Sequence, residues 1–157
     1  MNNKRKILFL CTGNSCRSQM AEAWTRHLLG DLFEAYSAGT QPRDVDPRAV
    51  KAMAEAGIDI SGQQSKDIDS LRNMEFDYVV TLCDNARASC PFFPAKTRML
   101  HRGFDDPPIL AEGAHDEEEA MAHYRRVRDE IKAFVEQLPE TLEEDQKDKD
   151  EPEKSLD

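Results

Sequence analysis

Lys6-Ile7-Leu8-Phe9-Leu10 is apolar at nearly every position. Such a run suits a strand covered on both faces, since a half-exposed strand would alternate. Gly13 and Ser15 break the pattern within Cys11 to Arg17. Ser18 then precedes a helical stripe of Met20, Ala21, Trp24 and Leu28 that ends at Gly30. Phe33 to Ala38 reads as a second strand, closed by Gly39. Pro47 suits the first turn of a helix running to Ala56, with Gly57 as its stop. A short amphipathic piece around Ile68 and Leu71 leads to a third strand, Phe76 to Leu82. Cys83 to Pro94 fits a loop or short helix, Thr97 to His101 a fourth strand, and Gly103 to Pro108 an irregular segment. Helical spacing returns from Ala114 to Leu138, with Met121, Tyr124, Val127, Ile131 and Val135 on the apolar face, and Pro139 predicts its stop.

Strands alternating with helices predict an α/β domain over residues 1–138, a parallel sheet with helices on both faces. Ligands bind such sheets beyond the carboxyl ends of the strands. Cys11, Cys83 and the Gly103–Pro108 segment each follow a predicted strand. Three stretches far apart in sequence are therefore expected on one rim.

At 157 residues there is room for one such domain. The net charge of −10 counts against nucleic acid and anionic membrane surfaces as partners. Residues 139–157 hold nine acidic and three basic side chains and no aromatic, and are expected to form a disordered acidic tail. The remainder carries about −4, which leaves room for an anionic substrate. No apolar run approaches the ~20 residues of a membrane span. Only Ile7 to Leu10 follows the basic start, too little for a signal-peptide core, so the protein is expected in the cytoplasm. A monomer is expected, although no feature of the sequence fixes the oligomeric state. In a reducing compartment Cys11, Cys16, Cys83 and Cys90 are not expected to staple the fold, and they lack zinc-site spacing. His27, His101, His115 and His123 also lack ligand spacing and are expected on the surface or on helix sides.

The chemistry concentrates in Cys11-Thr12-Gly13-Asn14-Ser15-Cys16-Arg17-Ser18, a C-x5-R-S segment between a strand and a helix. Backbone N–H groups of such a loop can point inward as a nest for a tetrahedral anion, and the helix start adds partial positive charge. Arg17 would supply a planar, permanently charged fork for two anion oxygens. The same field favours a Cys11 thiolate, to which Ser18 could donate a hydrogen bond. A second cysteine pair, Cys83 and Cys90, stands seven positions apart after the third strand. On one helical element they would lie roughly 10 Å apart, whereas a disulfide needs Cα atoms within about 7 Å. Pairing them would demand local refolding, costly in a structural bridge and useful in a redox switch. Two buried structural thiols are the alternative.

Cys11 to Ser18 resembles the C-x5-R-[ST] signature of the low-molecular-weight protein tyrosine phosphatase superfamily, and most of all its thioredoxin-coupled arsenate reductases. The resemblance covers about residues 5–138. It implies a four-stranded parallel sheet flanked by helices in three layers, and a loop of Thr12, Gly13, Asn14, Ser15, Cys16 and Arg17 that binds arsenate, or phosphate or sulfate as analogues. The family's general acid is the Asp before Pro, which selects Asp106 in Gly103-Phe104-Asp105-Asp106-Pro107 and leaves Asp105 in support. The reductases' Cys-x6-Cys-Pro matches Cys83 to Pro91 and implies a relay. Cys11 attacks arsenate, Cys83 attacks Cys11, Cys90 attacks Cys83, and thioredoxin reduces the last disulfide. Cys16 has no required role and is assigned to packing.

A phosphatase acting on tyrosine or small-molecule esters, using Cys11, Arg17 and Asp106 alone, is the alternative, and a non-enzymatic oxyanion or redox sensor the third. Against the tyrosine phosphatase stand Pro107-Pro108-Ile109 and Thr40-Gln41-Pro42, which lack the aromatic residues that flank a phosphotyrosine ring in that branch. No permanently bound cofactor is implied. Some relatives hold potassium near the loop, and Asn14, Glu22 and Ser37 match three of its ligands. Lys66 at the fourth position, with Asp67 adjacent, would set an ammonium group against the ion.

Overall fold

The computed structural model describes residues 4–143 apart from 72, 92 and 95. Strands β1 (Arg5–Cys11), β2 (Phe33–Gly39), β3 (Tyr78–Thr81) and β4 (Arg98–His101) lie parallel in the order β2-β1-β3-β4. Central β1 runs from Arg5 opposite Phe33 to Cys11 opposite Gly39, and pairs Ile7 to Leu10 with Tyr78 to Thr81 on its other side. Its unbroken apolar run follows from that position. Ile7, Phe9 and Cys11 enter one core and Leu8 and Leu10 the other.

The larger core lies between the sheet and helices α1 (Arg17–Leu29), α2 (Pro47–Glu55) and α5 (Glu117–Glu136), with Met20, Trp24, Met53, Met121, Tyr124, Val127 and Ile131 buried in it. The opposite face is covered more thinly, by the 3-10 turn Ile68–Leu71, by α3 (Asp84–Ser89) through Ala86, and by Phe76 and Phe93. The four-stranded, three-layer parallel sheet is thus the architecture the sequence predicts. All four strands point their carboxyl ends at one rim, which carries Cys11, Cys83 and the segment leading to α4 (Pro107–Ala111).

Several local expectations are corrected. Helix α1 starts at Arg17 rather than after Ser18, and Leu28 is 36% exposed instead of buried. Strand β3 starts only at Tyr78, after the Asp77 carboxylate has turned aside to accept the Lys6 amide at 2.8 Å. The segment expected to be irregular to Pro108 instead ends in a helix, with Pro107 and Pro108 opening α4, where a missing N–H costs nothing. Helix α5 begins at Glu117, after Asp116 accepts the Glu119 amide at 2.8 Å. Pro139 does not end the folded chain: residues 138–143 are helical, and Leu142 is buried beside Leu138 in the main core. The expected tail beyond 143 lies outside the described residues.

Candidate active site

Loop 11–16 turns its carbonyls away from the rim. Cys11, Thr12, Gly13 and Ser15 accept the amides of Thr40, Gln41, Arg43 and Asp46 at 2.8–3.2 Å. Asn14 accepts the Gln19 side-chain amide at 2.9 Å, and Cys16 accepts Met20 as the first bond of α1. With the carbonyls held outside, the amides between them are left to the concavity, the arrangement a tetrahedral anion needs. Asn14 takes the left-handed conformation at φ 48, which Asn tolerates better than most residues. Gly39 makes room for the loop, because a Cβ there would meet the Thr12 carbonyl at 2.6 Å.

Cys11 is buried at the loop's head, its sulfur 3.0 Å from Ser18 Oγ. The Asn14 side chain donates to that same oxygen at 2.7 Å and receives the Lys66 amide at 2.8 Å. Arg17 donates to the Phe104 carbonyl at 3.0 Å and lies 3.4 Å from Asp106 Oδ2. These two contacts tie the loop to the β4–α4 segment. The neighbouring carboxylates part company there. Asp105 turns outward to Arg126 at 2.9 Å, whereas Asp106 occupies the N-cap of α4 without capping it and faces Arg17.

Cys83 meets the loop from the third strand. Its sulfur is 3.3 Å from Thr12 Oγ1, and the Thr12 hydroxyl donates to Asn85 Oδ1 at 3.1 Å. Cys83 is the N-cap of α3, its sulfur accepting the Ala86 amide at 3.3 Å, and Cys90 is the C-cap. All four cysteines are free thiols. Cys90 is half-buried against the thinner core, and that burial raises its pKa above the ordinary thiol value. Cys11, Cys83, Arg17 and Asp106 line one cleft of about 420 Å³, joined at its mouth by Arg43, Asn85, Ile109 and Glu112.

Residues 6–148 match the low molecular weight phosphotyrosine protein phosphatase family. The chain belongs to this family. Within it, an arsenate reductase of Halalkalibacterium halodurans is 52% identical over 139 residues, 88% of this chain and 98% of its own. A solved arsenate reductase in its oxidized state is similar with a TM-score of 0.73 and 30% identity, over 88% of this chain and 98% of that one. A thioredoxin-dependent arsenate reductase of Corynebacterium glutamicum is similar with a TM-score of 0.65 and 26% identity, over 89% of this chain and 62% of that one.

Cys16 sits in the phosphatase-family loop, buried in the floor of the same cleft. Burial, and after it the charge of Asp46, raises its pKa well above the ordinary thiol value. That keeps it a neutral packing group. Glu22, also buried, accepts the Ser37 hydroxyl at 2.9 Å and pairs with Arg26 at 3.0 Å and Lys66 at 4.0 Å. Two side-chain cations already neutralise it, so these residues do not fit a potassium ion. His101 departs from the surface placement expected of it. It is half-buried on β4, bonded to Thr81 at 2.8 Å and reaching Asp84 at 3.3 Å. Arg102 lays its guanidinium over the Phe104 ring, 4.8 Å from its centre.

Sequence reasoning missed Arg43, Asn85 and the clamp behind the loop. In that clamp Asp46 caps α2 through the Arg48 amide at 2.9 Å and receives the Tyr124 hydroxyl. The Asp46-Pro47 pair was a readable capping signal; Arg43 and Asn85 carried no local signal.

Proposed function

We propose that this chain reduces arsenate to arsenite in the cytoplasm, through a Cys11–Cys83–Cys90 relay reset by thioredoxin. One observation carries the reading: Cys83 borders the Cys11 cleft while Cys90 stands at the far end of the same short helix. A phosphatase needs Cys11, Arg17 and Asp106 but has no use for such a pair. The names borne by the similar arsenate reductases support the same substrate, and the Corynebacterium relative supports thioredoxin as the dithiol.

In this mechanism loop amides and Arg17 hold arsenate while the Cys11 thiolate attacks arsenic. A bond forms between sulfur and arsenic, and Asp106 gives its proton to the oxygen that leaves as water. Cys83 then attacks the Cys11 sulfur. The electron pair of the sulfur–arsenic bond stays on arsenic, which leaves as arsenite, and a Cys11–Cys83 disulfide remains. Cys90 attacks Cys83 and releases Cys11 as thiolate. The two ends of α3 are separated by roughly 1.5 Å of rise per residue, so this last pairing unwinds the helix. Unwinding also takes Cys90 out of the apolar packing that disfavours its thiolate. The disulfide then lies on an exposed segment within reach of the external dithiol. No permanently bound cofactor takes part, and Lys66 and Arg26 supply the positive charge beside Glu22.

The deciding assay follows NADPH oxidation with thioredoxin, thioredoxin reductase and arsenate, beside aryl phosphate hydrolysis. Sustained arsenate-dependent oxidation supports the reading. Ester hydrolysis without it would make the chain a phosphatase.

A further inference from the structure

We propose that Arg43 is a second anion-binding side chain of this cleft, drawing in a multiply charged oxyanion and setting its affinity without taking part in the chemistry. The inference rests on the oxyanion reading of the site. Four charged side chains line the cleft: Arg17, Arg43, Asp106 and Glu112. Arg17, set on the oxyanion by the proposed mechanism, divides its donors with the Phe104 carbonyl at 3.0 Å and Asp106 at 3.4 Å. Glu112 is an exposed carboxylate at the mouth. Without Arg43 the lining would hold Arg17 as its one cationic side chain, with the Glu112 carboxylate at the mouth set against an incoming anion.

The Arg43 backbone is fixed where this role requires. Its amide donates to the Gly13 carbonyl at 2.8 Å, and its stem crosses the loop so that a Cβ on Gly13 would lie 3.8 Å from Arg43 Cγ and Cδ. The guanidinium at the end of that stem makes no hydrogen bond or ion pair among the described residues. An exposed guanidinium, anchored at its base and unpaired at its tip beside an anion nest, has the freedom to fold over a bound oxyanion.

The test measures inorganic phosphate binding by calorimetry at low and high ionic strength, in wild type, Arg43→Gln and Arg43→Lys, with arsenate steady-state kinetics alongside. Arg43→Gln should weaken phosphate roughly fivefold at low salt, with the difference from wild type shrinking at high salt. The arsenate KM should rise by a similar factor with kcat unchanged, and Arg43→Lys should restore most of both. Unchanged melting of the unliganded variants excludes a merely structural effect. A wild-type phosphate affinity and salt slope in Arg43→Gln would overturn the proposal. Arg17→Lys distinguishes the underlying reading: phosphate binding that survives it undiminished would sink the oxyanion site itself, whatever Arg43 does.

Discussion

The Ser18 hydroxyl lies 3.0 Å from the Cys11 sulfur while its oxygen receives the Asn14 side-chain amide at 2.7 Å. The Ser18 oxygen accepts from Asn14 and keeps its own proton free to donate to a Cys11 thiolate. Ser18→Ala removes a hydrogen bond from the thiolate that the proposed mechanism uses as nucleophile, and strands the Asn14 amide. Alkylation of Cys11 at neutral pH and the first turnover with arsenate should each slow roughly tenfold. Unchanged alkylation kinetics would show that Ser18 only packs.

The two carboxylates before Pro107 should separate cleanly by mutation. Asp106 faces Arg17 and lines the cleft, whereas Asp105 is held outside by Arg126. Asp106→Asn should lower turnover by roughly 10²-fold or more, the usual range for a lost proton donor. Asp105→Asn loses one exposed ion pair and should stay within about twofold of wild type. Single-turnover rates of the two variants decide the assignment.

The legible parts of this chain were those whose signal is local. The apolar run Ile7 to Leu10, the C-x5-R-S spacing and the long face of α5 each follow from one continuous stretch of sequence, and each is where the pattern placed it. Ser18 misled for a physical reason. Serine before an apolar stripe ordinarily caps a helix, but here Cys16 occupies the cap and Ser18 is turned back to Cys11. Pro107, Pro108 and Pro139 misled because proline both ends helices and opens them. Arg43 was illegible because its position depends on a backbone bond between two loops, which no periodicity records. The same holds for the contact between Thr12 and Cys83, 71 positions apart.

Alkaline pH should expose the clamp behind the loop. Burial, and after it the hydrogen bond to Asp46, raises the Tyr124 pKa far above the ordinary value; burial and Asp46 raise that of Cys16 likewise. Both groups therefore keep their protons in the folded state after the unfolded chain has released them. Their contribution to stability is complete below the unfolded pKa values and is lost as pH rises above them, by up to about 1.4 kcal/mol per pH unit for each group. Urea midpoints should fall between roughly pH 9 and 11. Tyr124→Phe should cost about 1 kcal/mol at pH 7 but flatten the alkaline decline. An equally steep decline in the variant would remove Tyr124 from this role.

The relay makes the most demanding prediction, because Cys83 and Cys90 stand at opposite ends of a six-residue helix. Neither touches the first chemical step, so slow hydrolysis of a small aryl phosphate should persist in Cys83→Ser and Cys90→Ser alike. Repeated arsenate reduction should fail in both, at different points. Without Cys83 no thiol reaches the Cys11–arsenic adduct, and arsenite release should stall. Without Cys90 the Cys11–Cys83 disulfide forms and stays, giving about one equivalent of arsenite before the enzyme is trapped. Mass spectrometry after arsenate treatment should find Cys11–Cys83 in the Cys90 variant and Cys83–Cys90 in wild type. Amide exchange across α3 should be slow in the reduced protein and fast once Cys83 and Cys90 are joined, because the bonded cysteines cannot span an intact helix. Wild-type turnover with thioredoxin in both variants would end the relay reading and leave Cys11, Arg17 and Asp106 as a phosphatase's machinery.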